Sequence, residues 1–155
     1  MSISRLQPVP GALEVHELLR ALVHGAYWLD DGLQAYMQIH ADLTLPRAQS
    51  MAMVYLTEGV DRPSDLAAKL RVSKQATQQV LKELQHKGII EVHPDPDNGR
   101  QKLISLTVYG RELRGIAHRG LTELERELCR RIGTRRLAGL RDALAEDWGS
   151  VPRVE

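Results

Sequence analysis

The order of apolar and polar positions divides the chain into helices on either side of one short change of period. Leu18, Leu22, Leu29, Leu33 and Met37, with Ala26 filling the gap, recur at helical spacing and predict one long helix over about 13–40. Ahead of it, Pro8, Pro10 and Gly11 read as a short non-regular arm. The segment "LTLPRAQSMAMVYLTEG" opens on Thr44 and Pro46 and closes on Gly59, which predicts a second helix over about 46–58. Pro63 marks a third start; Asp65 suits the positive first turn, and Leu66, Ala67 and Leu70 form the apolar side. Ser73 can cap a fourth helix by accepting a free backbone N–H, and this helix runs to Lys87, where Gly88 supplies a left-handed stop.

The period then shortens to two. "IIEVH" (89–93) reads as a strand, "PDPDNGRQ" as a turn-rich loop with an Asn98-Gly99 hairpin signal, and "KLISLTV" as a second strand in which Ile104, Leu106 and Val108 share a face. From about Thr107 the helical period returns through Leu113, Ile116, Leu121, Leu124, Leu128 and Ile132. After Gly133, Thr134 is the expected cap of a last helix carrying Leu137, Leu140, Leu144 and Trp148. The fold class expected is therefore mainly α with one small β-hairpin.

Length and composition narrow the class. A chain of 155 residues suits one domain with a core, and 43% hydrophobic against 26% charged residues is an ordinary globular balance built on aliphatic side chains, since Phe is absent. No apolar run approaches the roughly 18 residues a bilayer span needs, and the first residues lack the apolar stretch of a secretory signal, so a cytoplasmic protein with no membrane partner is expected. Cys129 is the single cysteine, which excludes an internal disulfide. Its apolar stripe argues for a structural thiol despite Arg126, Arg130 and Arg131 nearby. The six His residues (16, 24, 40, 86, 93, 118) are scattered; His16 and His24 could share a helical face, but no Cys or carboxylate cluster completes a ligand set, so no metal or other cofactor is expected. Nor does any phosphate-binding loop or nucleophile elbow give an enzyme a footing.

Charge matters locally. The net charge is +1, yet Arg71 to Gly88 holds four basic residues and one acid, which permits a polyanion partner there. At 100° per residue, Ala76, Thr77, Val80, Leu81 and Leu84 gather on one side of the fourth helix, leaving Gln75, Gln78, Gln79 and Lys82 on the other with Lys74 at the flank. Glutamine can pair bidentately with adenine, and lysine can meet guanine or phosphate; the same residues also make an ordinary solvated face. Two short helices joined by a tight turn and followed at once by a hairpin form a winged helix-turn-helix, in which the second helix enters the major groove. Arg100 and Lys102 sit beside the hairpin tip, suited to phosphate or minor-groove contact.

In wording as well as order, the chain resembles the MarR family of bacterial transcriptional regulators. The resemblance rests on "LTLPRAQSMAMVYLTEG", on "PSDLAAKLRVSKQATQQVLKELQHKGII" and on "PDPDNGRQKLISLTVYGREL", with its Asp97-x-x-Arg100 tip, Leu106-Thr107 and Gly110-Arg111, and spans about 13–148. It implies a single domain over 1–155, with a DNA-binding lobe at 44–110 and dimerisation helices at 13–40 and 111–148. It further implies a homodimer on a palindromic double-stranded operator, acting as a repressor. The Leu/Ile stripes beyond Leu113 also ask for a covering surface, either a second copy of the chain or the first helix of the same one. By the same resemblance Ser73, Lys74, Gln75, Gln78, Gln79, Lys82, Asp97, Arg100 and Lys102 would contact DNA, with Arg100 in the minor groove or on the backbone and Asp97 bracing it or its loop. A small aromatic or carboxylate effector would lie among His24, Tyr27, Trp28, Met51 and Tyr55. Two positions depart from the pattern: Gln79 stands where an Arg is frequent, and Arg62 where a capping Ser or Thr is usual, with Asp61 as a substitute cap. The other function class consistent with the sequence is a winged helix used as a protein-interaction module.

Overall fold

The computed structural model describes residues 13–153, in the order α1 (Leu13–Ala41), α2 (Arg47–Thr57), α3 (Pro63–Leu70), α4 (Lys74–His86), β1 (Ile90–Pro94), β2 (Lys102–Leu106), α5 (Val108–Ile132) and α6 (Thr134–Ala145). The arm expected at Pro8 to Gly11 and the side chain of His16 lie outside the described residues. Six helices and one antiparallel hairpin form the mainly α winged helix that the periodicity predicts.

The lobe is built around Ala52 and Leu56 of α2, Leu66 of α3, Leu81 and Leu84 of α4, and Ile89, Ile90 and Ile104 of the hairpin, all buried. A helix of eight residues such as α3 cannot hold its shape alone in water. Complete burial of Leu66, contributing about 1.5–3 kcal/mol, is what fixes it. Met37 of α1 and Leu113 of α5 enter the same core, and Ile116 packs against it. The stripe that begins at Leu113 is thus partly consumed within one chain, and the lobe core extends beyond 44–110.

In the hairpin, Ile90 faces Leu106 and Val92 faces Ile104, so one side of the ribbon lies on the core. The outer side of β2 is met by the α2–α3 connection, where Ile104 N donates to Asp61 O at 2.7 Å. Val108 does not continue the strand: it is the first residue of α5 and is exposed. The reason is Thr107, whose Oγ1 accepts from Gly110 N at 2.9 Å and donates to Gly88 O at 2.6 Å, which caps α5 and ties it to the end of α4. Gly110 follows from that closeness, since a Cβ there would overlap the Ile89 carbonyl oxygen.

Helix α5 runs back along α1, and two glycines set the approach. A Cβ on Gly32 would come within 2.5 Å of Leu124, and one on Gly120 within 2.7 Å of the Tyr36 ring. At the far end the cap of α6 is Gly133 (φ 88°) and not Thr134, which is already helical and has its Oγ1 3.4 Å from Cys129 Sγ. Trp148 lies past the last turn, with Nε1 donating to Ala143 O at 2.9 Å.

Candidate nucleic-acid interface

The turn between α3 and α4 decides where the polar face points. Arg71 takes a left-handed conformation (φ 54°, ψ 41°) that lets Val72 N reach Ala67 O and reverses the chain. Ser73 then caps α4, its Oγ accepting from Ala76 N at 3.1 Å. At the other end Gly88 (φ 70°) permits Gly88 N to bond Gln85 O and Ile89 N to bond Leu84 O, the paired closure of a Schellman motif. Between these stops Thr77, Leu81 and Leu84 are buried and Val80 is half-buried, whereas Ala76, expected among them, is exposed. Ser73, Lys74, Gln75, Gln78, Gln79 and Lys82 are all exposed.

The wing owes its shape to a residue that sequence reasoning passed over. Asp95 is 4% exposed; its carboxylate accepts from Asp97 N at 3.0 Å and from Arg62 at 2.8 Å, while its own N–H closes the loop on Gln101 O. The Asp97 amide first, and Arg62 after the opposing cost of burial, hold this carboxyl below its ordinary value. Asn98 O accepts from Gln101 N at 2.8 Å, so Gly99 and Arg100 occupy the centre of the tip turn, one residue beyond the Asn-Gly pair expected, and Gly99 needs no positive φ. Asp97 contributes its backbone to this loop; Asp97, Arg100 and Lys102 are exposed. Arg62 does stand at the N-cap of α3 without a side-chain cap, and Asp61 does not replace it, because Arg62 reaches to Asp95 and the Asp61 carbonyl serves β2.

A cleft of about 530 Å³ opens between α3, α4 and the wing. It brings together Gln78, Arg100 and Lys102 of the expected set and adds Arg62, Ser64 and Gln101, with no carboxylate on its walls. Lys74, Gln75, Gln79, Lys82 and Asp97 do not line it. Signals for the added residues were weak, because each is a single polar side chain in a loop or first turn.

A second cavity of about 250 Å³ lies where α1, α2 and α5 meet. Leu33, Met37, Met53 and Leu113 supply apolar walls; Gln34, Ser50, Arg114 and His118 supply polar groups. None of His24, Tyr27, Trp28, Met51 and Tyr55 lines it. His24 is exposed, Tyr27 is covered by the Arg47 guanidinium at 3.6 Å, Trp28 has Arg131 5.6 Å above its ring, and Met51 and Tyr55 are half-buried. Arg47 is held there by Asp31 at 2.9 Å and by buried Asp30, which also accepts from Ser50 Oγ at 2.6 Å. Among the described residues no group of three His, Cys, Asp or Glu side chains could hold a metal ion, and no helix is long and apolar enough to cross a membrane.

Residues 41–101 match the model of the MarR family. No curated protein matches the sequence. Among solved structures, a cysteine-to-serine mutant of MarR from E. coli complexed with operator DNA superposes with a TM-score of 0.69 at 23% identity, covering 88% of this chain and 96% of that one. RV1404 from Mycobacterium tuberculosis gives 0.64 at 19% identity, with 89% and 93% covered. A mutant of S. aureus MepR bound to an oligodeoxyribonucleotide gives 0.56 at 20% identity, with 84% and 92% covered. The family's model is thus matched across the lobe, and the chain has the winged-helix fold of the MarR structures through its outer helices as well.

Proposed function

We propose that the protein is a sequence-specific DNA-binding transcriptional regulator, acting as a homodimer on a palindromic operator and repressing until a small effector releases it. The observation that carries this reading is the continuous polar surface from α4 to the wing, where exposed glutamines and lysines lead into a carboxylate-free cleft that ends at Arg100 and Lys102. Gln75 and Gln78 are suited to base edges; Lys74, Lys82 and the wing supply the charge that phosphates attract. Ser73 has its Oγ engaged as a cap and presents the first turn of α4 to the duplex. The structures of related regulators on operator DNA and on an oligodeoxyribonucleotide support the same use of the fold.

The effector site in this reading is the cavity between α1, α2 and α5, rather than the five residues that the family resemblance implies. Its apolar walls suit an aromatic body, and Arg114 with His118 suits a carboxylate. Catalysis plays no part in this reading.

Selection of bound genomic fragments with purified protein tests it. A palindrome with half-sites about 10 base pairs apart is expected for a two-fold dimer. Arg100→Ala should weaken every sequence alike and reduce the slope of log affinity against log salt by about 1, whereas Gln78→Ala should change preference among sequences. Selection of no motif, together with a salt slope near zero, would leave the interaction-module reading in its place.

A further inference from the structure

Gln49, on α2 behind the recognition helix, is 1% exposed. A buried amide must satisfy both its ends, and Gln49 does so on α4 and its C-cap: Nε2 donates to Glu83 Oε2, and Oε1 accepts from Lys87 Nζ at 2.8 Å. The other carboxylate oxygen, Glu83 Oε1, accepts from Gln79 Nε2 at 2.7 Å. Chemistry fixes the direction of every bond in this chain. An ammonium can only donate, so Lys87 takes the oxygen of Gln49; a carboxylate can only accept, so both glutamines turn their NH2 groups to Glu83.

Gln79 is exposed on the face of α4 that the proposed function turns toward DNA. With its NH2 engaged, its Oε1 is left outward together with one remaining N–H. We infer that Lys87, Gln49 and Glu83 are positioning residues that lock the amide of Gln79 in one orientation, so that this position of the operator is read for a base carrying an amino group in the major groove. Adenine fits first, with N6 donating to Oε1 and N7 accepting the free N–H; cytosine fits second through N4; guanine and thymine meet the oxygen with a keto oxygen and are rejected. An unrestrained glutamine could flip and accept either kind of base. The carboxyl of Glu83 is held below its usual range chiefly by Gln79, then by Gln49 and, against the cost of burial, by Lys87, so it remains an acceptor at neutral pH.

This inference rests on the DNA-reading function but fails separately from it. Binding selections with the full-length protein should show one position where adenine or cytosine is preferred over guanine or thymine by about tenfold. Gln79→Ala, at an exposed site, should erase the preference at that position alone. In Glu83→Gln the polarity of the chain reverses: Gln49 still offers its NH2, so the new amide turns its oxygen to Gln49 and its own NH2 to Gln79. Gln79 then presents its NH2 outward. The preferred base at that position should switch to guanine or thymine, with the salt slope and the other positions unchanged. Two results would overturn the inference: an unchanged base preference in Glu83→Gln, or a preference in wild type that survives Gln79→Ala. A wild-type protein that selects no motif would instead remove the DNA-reading function itself.

Discussion

Asp95 shows how one buried carboxylate can set the form of a surface loop. The unfolded chain titrates this group near its ordinary 3.8, while in the folded wing the Asp97 amide and Arg62 hold it lower. Protons are therefore taken up first by the unfolded state as pH falls, so the stability Asp95 contributes is complete above the unfolded value and disappears as pH drops through the folded one. Asp95→Asn should lower the melting temperature at pH 7, and the gap between the two proteins should narrow steadily in melts taken from pH 5 to pH 2.5; a constant gap would mean that the charge is not what counts. The sequence could not single out this residue. "PDPDNGR" offers two aspartates two positions apart, and only the partner 33 residues away at Arg62 turns Asp95 inward and leaves Asp97 to contribute through its backbone. The same dependence on distant partners leaves Gln49 without a signal in the sequence, since its partners Glu83 and Lys87 lie more than 30 residues away.

Segments with a strong period or chemical stops were legible to within a residue or two. α3 begins at the proline and α4 lies between Ser73 and the Gly88 stop, because those signals act within one turn of the chain. The errors fall at junctions: Val108 continues the alternation of β2, but the cap at Thr107, made with the end of α4, overrides it. One stop used an unexpected residue. Arg71 occupies the left-handed position after α3, where a side chain with a Cβ is strained. Arg71→Gly should therefore raise stability by about 0.5–1 kcal/mol, read as a higher denaturant midpoint with an unchanged slope. A fall in stability would show that the Arg71 side chain contributes more than its backbone costs.

Beyond the lobe, apolar surface remains uncovered. Leu18, Leu19 and Val23 on α1, and Leu140 and Leu144 on α6, are exposed even after α5 has packed on α1. That pattern fits the proposed dimer, since such a surface is costly in water and finds a complement in its own copy. Leu19→Asp combined with Leu144→Asp should yield a monomer by sedimentation, with circular dichroism intact and operator affinity reduced by at least about a hundredfold through loss of the second half-site. A variant that still sediments as a dimer would place the interface elsewhere. The outer helices were readable as apolar stripes, yet how closely α5 lies on α1 depends on Gly32 and Gly120, whose importance is invisible without the neighbours they admit. Gly120 makes room for the Tyr36 ring, and Gly32 for Leu124. What is fixed there is a shared volume and not an identity, so the two positions of each pair are free to change only together: a larger residue at 120 calls for a smaller one at 36. Among divergent relatives these positions should covary, and grafting α5 from one regulator onto α1 of another should succeed only when both pairs travel with it.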